Sequence, residues 1–120
     1  MRVFILDDVR SISAALLQAG YGVDNMPEGT YAVARTLLDA RDLIAMSLRF
    51  DLWVLDNDLG EAGMDGYAFL KLMVSTYPGK VPDMVWSCSS NPPARASIEA
   101  FFSNWIANGR QSPLPIGVDP

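Results

Sequence analysis

Three short apolar runs, each breaking off at acids or a hydroxyl, constrain this chain most. Val3 to Leu6 stops at Asp7-Asp8, Leu52 to Leu55 stops at Asp56-Asn57-Asp58, and the run over Asp83 to Trp86 stops at Ser87. Apolar runs this short, without polar alternation, read as strands buried on both faces, as in parallel sheets. Parallel neighbours cannot be joined by a tight hairpin and need a crossover, usually a helix. The segments between the runs carry apolar residues at helical spacing. The pattern is therefore α/β: βα units wound on both sides of a mostly parallel sheet of four to five strands.

The helices follow from their punctuation. Asp8 is placed to cap a helix over Ser11 to Ala19, with Val9, Ile12, Leu16 and Ala19 on one face and Gly20 at its end. Gly22 to Asn25 is expected as a short second strand. After a Pro27-Glu28-Gly29 turn, Thr30 is expected to open the next helix. Val33, Leu37, Ala40 and Ile44 recur along it, and it runs to about Leu48 with a break near Asp39. Leu59 to Asp65 is a glycine-rich connection, with Asp65 as the N-cap of a helix over Gly66 to Tyr77. Phe69, Leu70 and Met73 face inward there, and Pro78-Gly79 stops it. Asn91-Pro92-Pro93 opens a helix carrying Ile98, Phe101, Phe102, Trp105 and Ile106, which Asn108-Gly109 ends. Trp53 and Trp86, on strands, are expected in the core with that aromatic stripe. Leu114 to Val118, flanked by Pro113 and held to an edge by Pro115, is expected as a fifth strand.

At 120 residues the chain is expected to form one domain over 1–120. Half of its residues are hydrophobic and 19% charged, which suits a packed core and argues against disorder. The net charge is −5 and the nine basic residues are scattered, so no nucleic acid is expected as a partner. One cysteine, Cys88, allows no internal disulfide and points to a reducing, cytoplasmic setting. Neither a leader nor a membrane span is expected. The chain has no histidine, the usual proton carrier near neutral pH and the commonest metal ligand.

In an open parallel sheet the ligand crevice lies at the carboxyl ends of the strands. That brings Asp7, Asp8, Asp56, Asp58 and Ser87 toward one place, although they are far apart in sequence. Carboxylates gathered there repel one another, and a divalent cation with oxygen ligands relieves the repulsion. Mg²⁺ suits a site of a few carboxylates completed by water, and it neutralises a phosphoryl group. Read singly, Asp8 is a helix cap and Asp58 a turn residue; the set, at separate strand ends, favours a functional crevice. Glycines in Leu59 to Gly66 let backbone N–H groups approach an anion, or simply join strand to helix. Ser87-Cys88-Ser89-Ser90-Asn91-Pro92 leads into a helix N-terminus, where orphan N–H groups favour phosphate, or where Ser90 or Asn91 is a cap. Cys88 has no histidine to activate it and does not read as a nucleophile.

These segments resemble the response-regulator receiver domain (flavodoxin-like). Asp7-Asp8, the Asp56 that follows Leu52 to Leu55, Met64-Asp65-Gly66 and Ser87 fall where that family carries an acidic pair, a phospho-accepting aspartate and a Ser or Thr. The resemblance is closer to the cyclic-phosphate-processing receiver branch. Leu6-Asp7-Asp8-Val9-Arg10 is similar to its Leu-Asp-Asp-x-Arg, Asp56-Asn57-Asp58-Leu59-Gly60 to its Asp-His-Asp-Leu-Gly, and Cys88-Ser89-Ser90-Asn91-Pro92 to its His-Ser-x-Asn-Pro. The resemblance implies that Asp7, Asp8 and Asp56 hold Mg²⁺ and that Asp56 is the acceptor position. This chain departs by replacing both histidines, with Asn57 and Cys88. It has no lysine after Lys80, and the final helix of the fold is expected to be missing. That loss is expected to leave an apolar face for a homodimer or a partner protein.

The expected function is a Mg²⁺-dependent domain that binds or processes a phosphate ester, a cyclic one among the candidates. Asp56 and Asp58 are the candidate catalytic acids, and Ser87, Ser89 and Asn91 the phosphate contacts. The alternatives are an inert pseudo-receiver working as a protein-interaction module and a phospho-accepting receiver.

Overall fold

A computed structural model of the chain describes residues 1–7, 12–21, 29–56, 65–88 and 92–110. The element order is β1 (Arg2–Leu6), α1 (Ile12–Gln18), β2 (Thr30–Ala34), α2 (Leu37–Met46), β3 (Leu52–Leu55), α3 (Gly66–Thr76), a 3₁₀ turn (Pro78–Lys80), β4 (Met84–Ser87) and α4 (Pro92–Ala107). The four strands form one parallel sheet in the order β2-β1-β3-β4. This is the receiver-like, doubly wound architecture. The expected strands over 22–25 and 114–118 lie outside the described residues.

Alternation along the strands builds two cores. Phe4, Leu6, Trp53, Leu55 and Val85 point to the face covered by α2, α3 and α4, where they meet Leu37, Ile44, Phe69, Met73, Ile98 and Trp105. Val3, Ile5, Leu52 and Val54 point the other way, onto Ala15, Leu16 and Ala19 of α1. On the larger face Phe4, Trp53 and Phe69 pack ring against ring, with centroids 5.5–6.0 Å apart. Each such buried side chain contributes about 1.5–3 kcal/mol of transfer free energy.

Thr30 does not open a helix. Thr30–Ala34 is β2, paired residue for residue with Arg2–Leu6. The segment is Thr-Tyr-Ala-Val-Ala, rich in β-branched and aromatic side chains, and the Val33 to Leu37 interval mimics helical spacing by straddling a strand and a helix. The helix starts after Thr36, whose hydroxyl accepts from the Asp39 N–H at 3.2 Å. Trp86 also departs from expectation. On the outer strand β4 it is 40% exposed, resting on the Tyr21 ring at 5.5 Å rather than in the core. Ile106 is exposed as well, on the outer side of α4. Asp65 caps α3 as expected, accepting from the Ala68 N–H at 2.7 Å.

Glycines end α1 and α4 by the same device. Gly20 (φ 107°) and Gly109 (φ 71°) take left-handed backbone, so that the Tyr21 N–H reaches back to Leu16 O and the Arg110 N–H to Trp105 O, both at 2.9 Å. Gly29 has a different reason. At φ 142°, a Cβ there would stand 1.7 Å from the Met1 carbonyl oxygen, which accepts the first ladder bond of β2 from the Thr30 N–H.

Gly29→Ala is therefore expected to cost about 2 kcal/mol or more, because the backbone conformation and the ladder contact are both lost. Thr36→Ala is expected to cost about 1 kcal/mol through the lost cap. Urea unfolding of both variants measures this, and a Gly29→Ala protein as stable as the wild type would contradict the close approach.

Candidate functional site

The strand order reverses at β1, which has β2 on one side and β3 on the other. In an open α/β sheet that reversal opens a crevice between the carboxyl ends of the two strands whose connections depart to opposite faces. Here those strands are β1 and β3, and the residues that follow them are Asp7 and Asp56.

Register sets how close the residues come. Leu6 pairs with Leu55, and Leu55 with Ser87. The ladder continues one step past the strand ends. The Asp7 N–H donates to Ala34 O (3.2 Å), the Asp56 N–H to Leu6 O (2.8 Å) and the Cys88 N–H to Leu55 O (2.9 Å). Asp7, Asp56 and Cys88 thus stand level on β1, β3 and β4. Alternation gives all three the α1 face, following Val3 and Ile5, Leu52 and Val54. The Cys88 thiol lies 3.7 Å from Asp7 Oδ2, although β3 separates their strands and the backbones stand about 10 Å apart. The side chains of the outer two strands lean toward each other along the sheet's end.

All of these groups are withdrawn from solvent. Asp7 and Cys88 are fully buried and Asp56 is 5% exposed. Buried carboxylates are tolerated where hydrogen bonds or a cation compensate for the lost hydration. Ser87 is also fully buried, and alternation with Val85 turns it to the α4 side of the sheet, opposite Asp56. Asp8, Asp58, Ser89 and Asn91 lie outside the described residues.

Arg35 joins the site without having been anticipated. It follows β2 directly, and its Nη1 donates to the Asp7 carbonyl oxygen at 2.9 Å. A signal was available: the apolar run Ala32-Val33-Ala34 ends at a charged residue just as β1 and β3 do, and assigning that run to a helix hid it.

Asp7 and Asp56 supply the hard oxygen donors that Mg²⁺ takes, and a set of one or two carboxylates completed by water is typical of that ion. Among the described residues no three His, Cys, Asp or Glu side chains are gathered closely enough to hold a metal. A three-carboxylate set would have to draw on an acid outside the described residues, as the expected set does with Asp8. No helix among the described residues is long and apolar enough to cross a membrane.

Comparison with known proteins agrees with the fold. No curated protein matches the chain. One similar solved structure is described as the yeast Spc42 trimeric coiled-coil, amino acids 181–211, fused to another structure. It is 21% identical, over 92% of this chain and 85% of that one, and its TM-score of 0.44 is too low to bear on fold or function. The model of the cyclic-phosphate processing receiver domain matches residues 1–104. With its parallel β2-β1-β3-β4 sheet and aspartates at the ends of β1 and β3, this chain belongs to the cyclic-phosphate processing receiver domain family.

Proposed function

We propose that this domain binds a phosphate ester, most simply a cyclic one, at the carboxyl ends of β1, β3 and β4. Asp7, Asp8 and Asp56 would hold Mg²⁺ there. The observation that carries the reading is the level placement of Asp7 and Asp56 on neighbouring strands, both buried, at the sheet's reversal point. Two carboxylates set side by side out of water repel each other, and a bound divalent cation turns that repulsion into attraction. When bound, Mg²⁺ supplies charge neutralisation for the phosphoryl oxygens.

The chain's own residues divide the remaining work. Ser89 and Asn91 offer a hydroxyl and an amide in the segment that leads into α4. That helix is 16 residues long, and its positive end favours an anion. Ser87, fully buried at the end of β4, precedes that segment in the chain. Asp56 and Asp58 would be the carboxylates that carry proton transfer, since the chain has no histidine for that task.

A second reading has its own support. The thiol at one of the two family histidine positions, Cys88, is fully buried and turned onto Asp7. Leu38, Leu72, Met46 and Leu48 meanwhile expose apolar surface on and beside α2 and α3. These features suit a catalytically inert receiver that works as an interaction module. An oligomer or partner complex that persists in the double variant Asp7→Asn, Asp56→Asn would favour this second reading.

Calorimetry with Mg²⁺ tests the first. The wild type is expected to bind, and Asp56→Ala to lose at least about tenfold in affinity, a change of about 1.4 kcal/mol. Mg²⁺ at about a hundred times its dissociation constant should add about 2.7 kcal/mol to wild-type stability in urea, and less to the variant. Absence of binding in the wild type, or equal binding by Asp56→Ala, removes the proposal.

A further inference from the structure

Leu38, Arg41, Asp42 and Ala45 recur along α2 at i, i+3, i+4 and i+7, and so share one side of the helix. Leu37, Ala40 and Ile44, on the other side, hold α2 to the core. The outward side therefore has no part in packing the monomer. Leu38 is 57% exposed there, and Leu72 of the neighbouring α3 is 44% exposed. Between the two helices lies an apolar hollow of about 150 Å³, lined by Leu37, Leu38, Arg41 and Leu72. It has room for one aliphatic side chain, and Leu38 projects beside it. A knob and a hole of matching chemistry thus stand next to each other on the same surface, and covering them removes apolar area from water.

The charges of this face point to its occupant. Arg41 and Asp42 carry one charge of each sign and sit side by side, 47% and 58% exposed, 3.3 Å apart at their closest. Consecutive residues on a helix do not face each other, and an exposed ion pair of this kind contributes little. The chain as a whole carries −5, so two copies repel one another unless the surfaces that meet are balanced in charge. This face is balanced. A strongly acidic or basic partner finds no net charge on it to pair with. A second copy does find partners, because across a two-fold axis Arg41 of each copy meets Asp42 of the other. An isologous contact requires that self-complementarity.

We propose that the outward face of α2, together with Leu72 of α3, is a homodimer interface. Leu38 of each copy fills the hollow of the other, and the Arg41–Asp42 pairs exchange across the two-fold axis. The inference does not depend on what the crevice binds. Because α2 has 10 residues and is about 15 Å long, the contact is small and the dimer is reversible.

Sedimentation velocity of the whole chain between about 1 and 500 µM tests this, a range that spans reversible association. The wild type is expected to pass from monomer to dimer. Leu38→Asp should lose at least about tenfold in dimer affinity. Its urea midpoint should match that of the wild type, because Leu38 faces outward and an acid in the first turn suits a helix N-terminus. Leu17→Asp, which replaces a leucine 60% exposed on α1, should dimerise as the wild type does. Arg41→Asp and Asp42→Arg each set like charges against each other at the axis, so each alone should be monomeric. Mixed one to one, these two variants should form a dimer, an outcome that neither misfolding nor a different partner produces. The inference is overturned if the wild type stays monomeric throughout, if its dimer survives Leu38→Asp, or if the two charge variants do not associate with each other.

Discussion

The pairing of β1 with β3 is the interaction on which the rest depends. The two strands are the centre of the sheet and carry its most deeply buried residues, from Val3 to Leu6 and from Leu52 to Leu55. Their parallel register does more than bury side chains. It brings two aspartates 49 positions apart in the chain to the same level on the same face. A slip of one residue would turn one of them to the other side of the sheet. The hydrophobic core therefore specifies the spacing of the polar site, because the cost of exposing any of those apolar side chains guards the register.

Charge is distributed to match. Arginines and a lysine gather where strands begin, and their hydrogen bonds run to backbone carbonyls and to the Asp83 carboxylate. The carboxylates of the described crevice stand where strands end. At the strand starts the cations are matched by Asp51 and Asp83, an arrangement the net charge of −5 does not reveal. Among the described residues Arg35 stands at the acidic end, where its guanidinium donates to the Asp7 backbone carbonyl.

Much of this was legible beforehand, and where reading failed the cause is identifiable. Helix ends were clear because their signals are local. Asp65 accepts from the Ala68 N–H, and Gly20 and Gly109 take left-handed backbone, each within a few residues. The strand over Thr30–Ala34 was misread because Val33 and Leu37 sit four apart, a spacing that looks the same whether or not a strand ends between them. That error carried Arg35 out of view. Trp86 was misplaced for a related reason: an apolar residue on a strand reads as core only if the strand has covered faces, and β4 lies at the outer side of the described sheet.

By itself the amino-acid order determined the class of fold, the strands that end in acids, the caps and stops of the helices, and the loss of both family histidines. These are matters of periodicity and local chemistry, which a linear string carries in full. Only the tertiary structure decided that Asp7, Asp56 and Cys88 share one level and one face, that Ser87 turns to the other, and that Arg35 reaches Asp7. Those facts depend on which strands pair and in what register, and pairing is settled by burying apolar surface across the whole sheet rather than by any residue's neighbours in the chain.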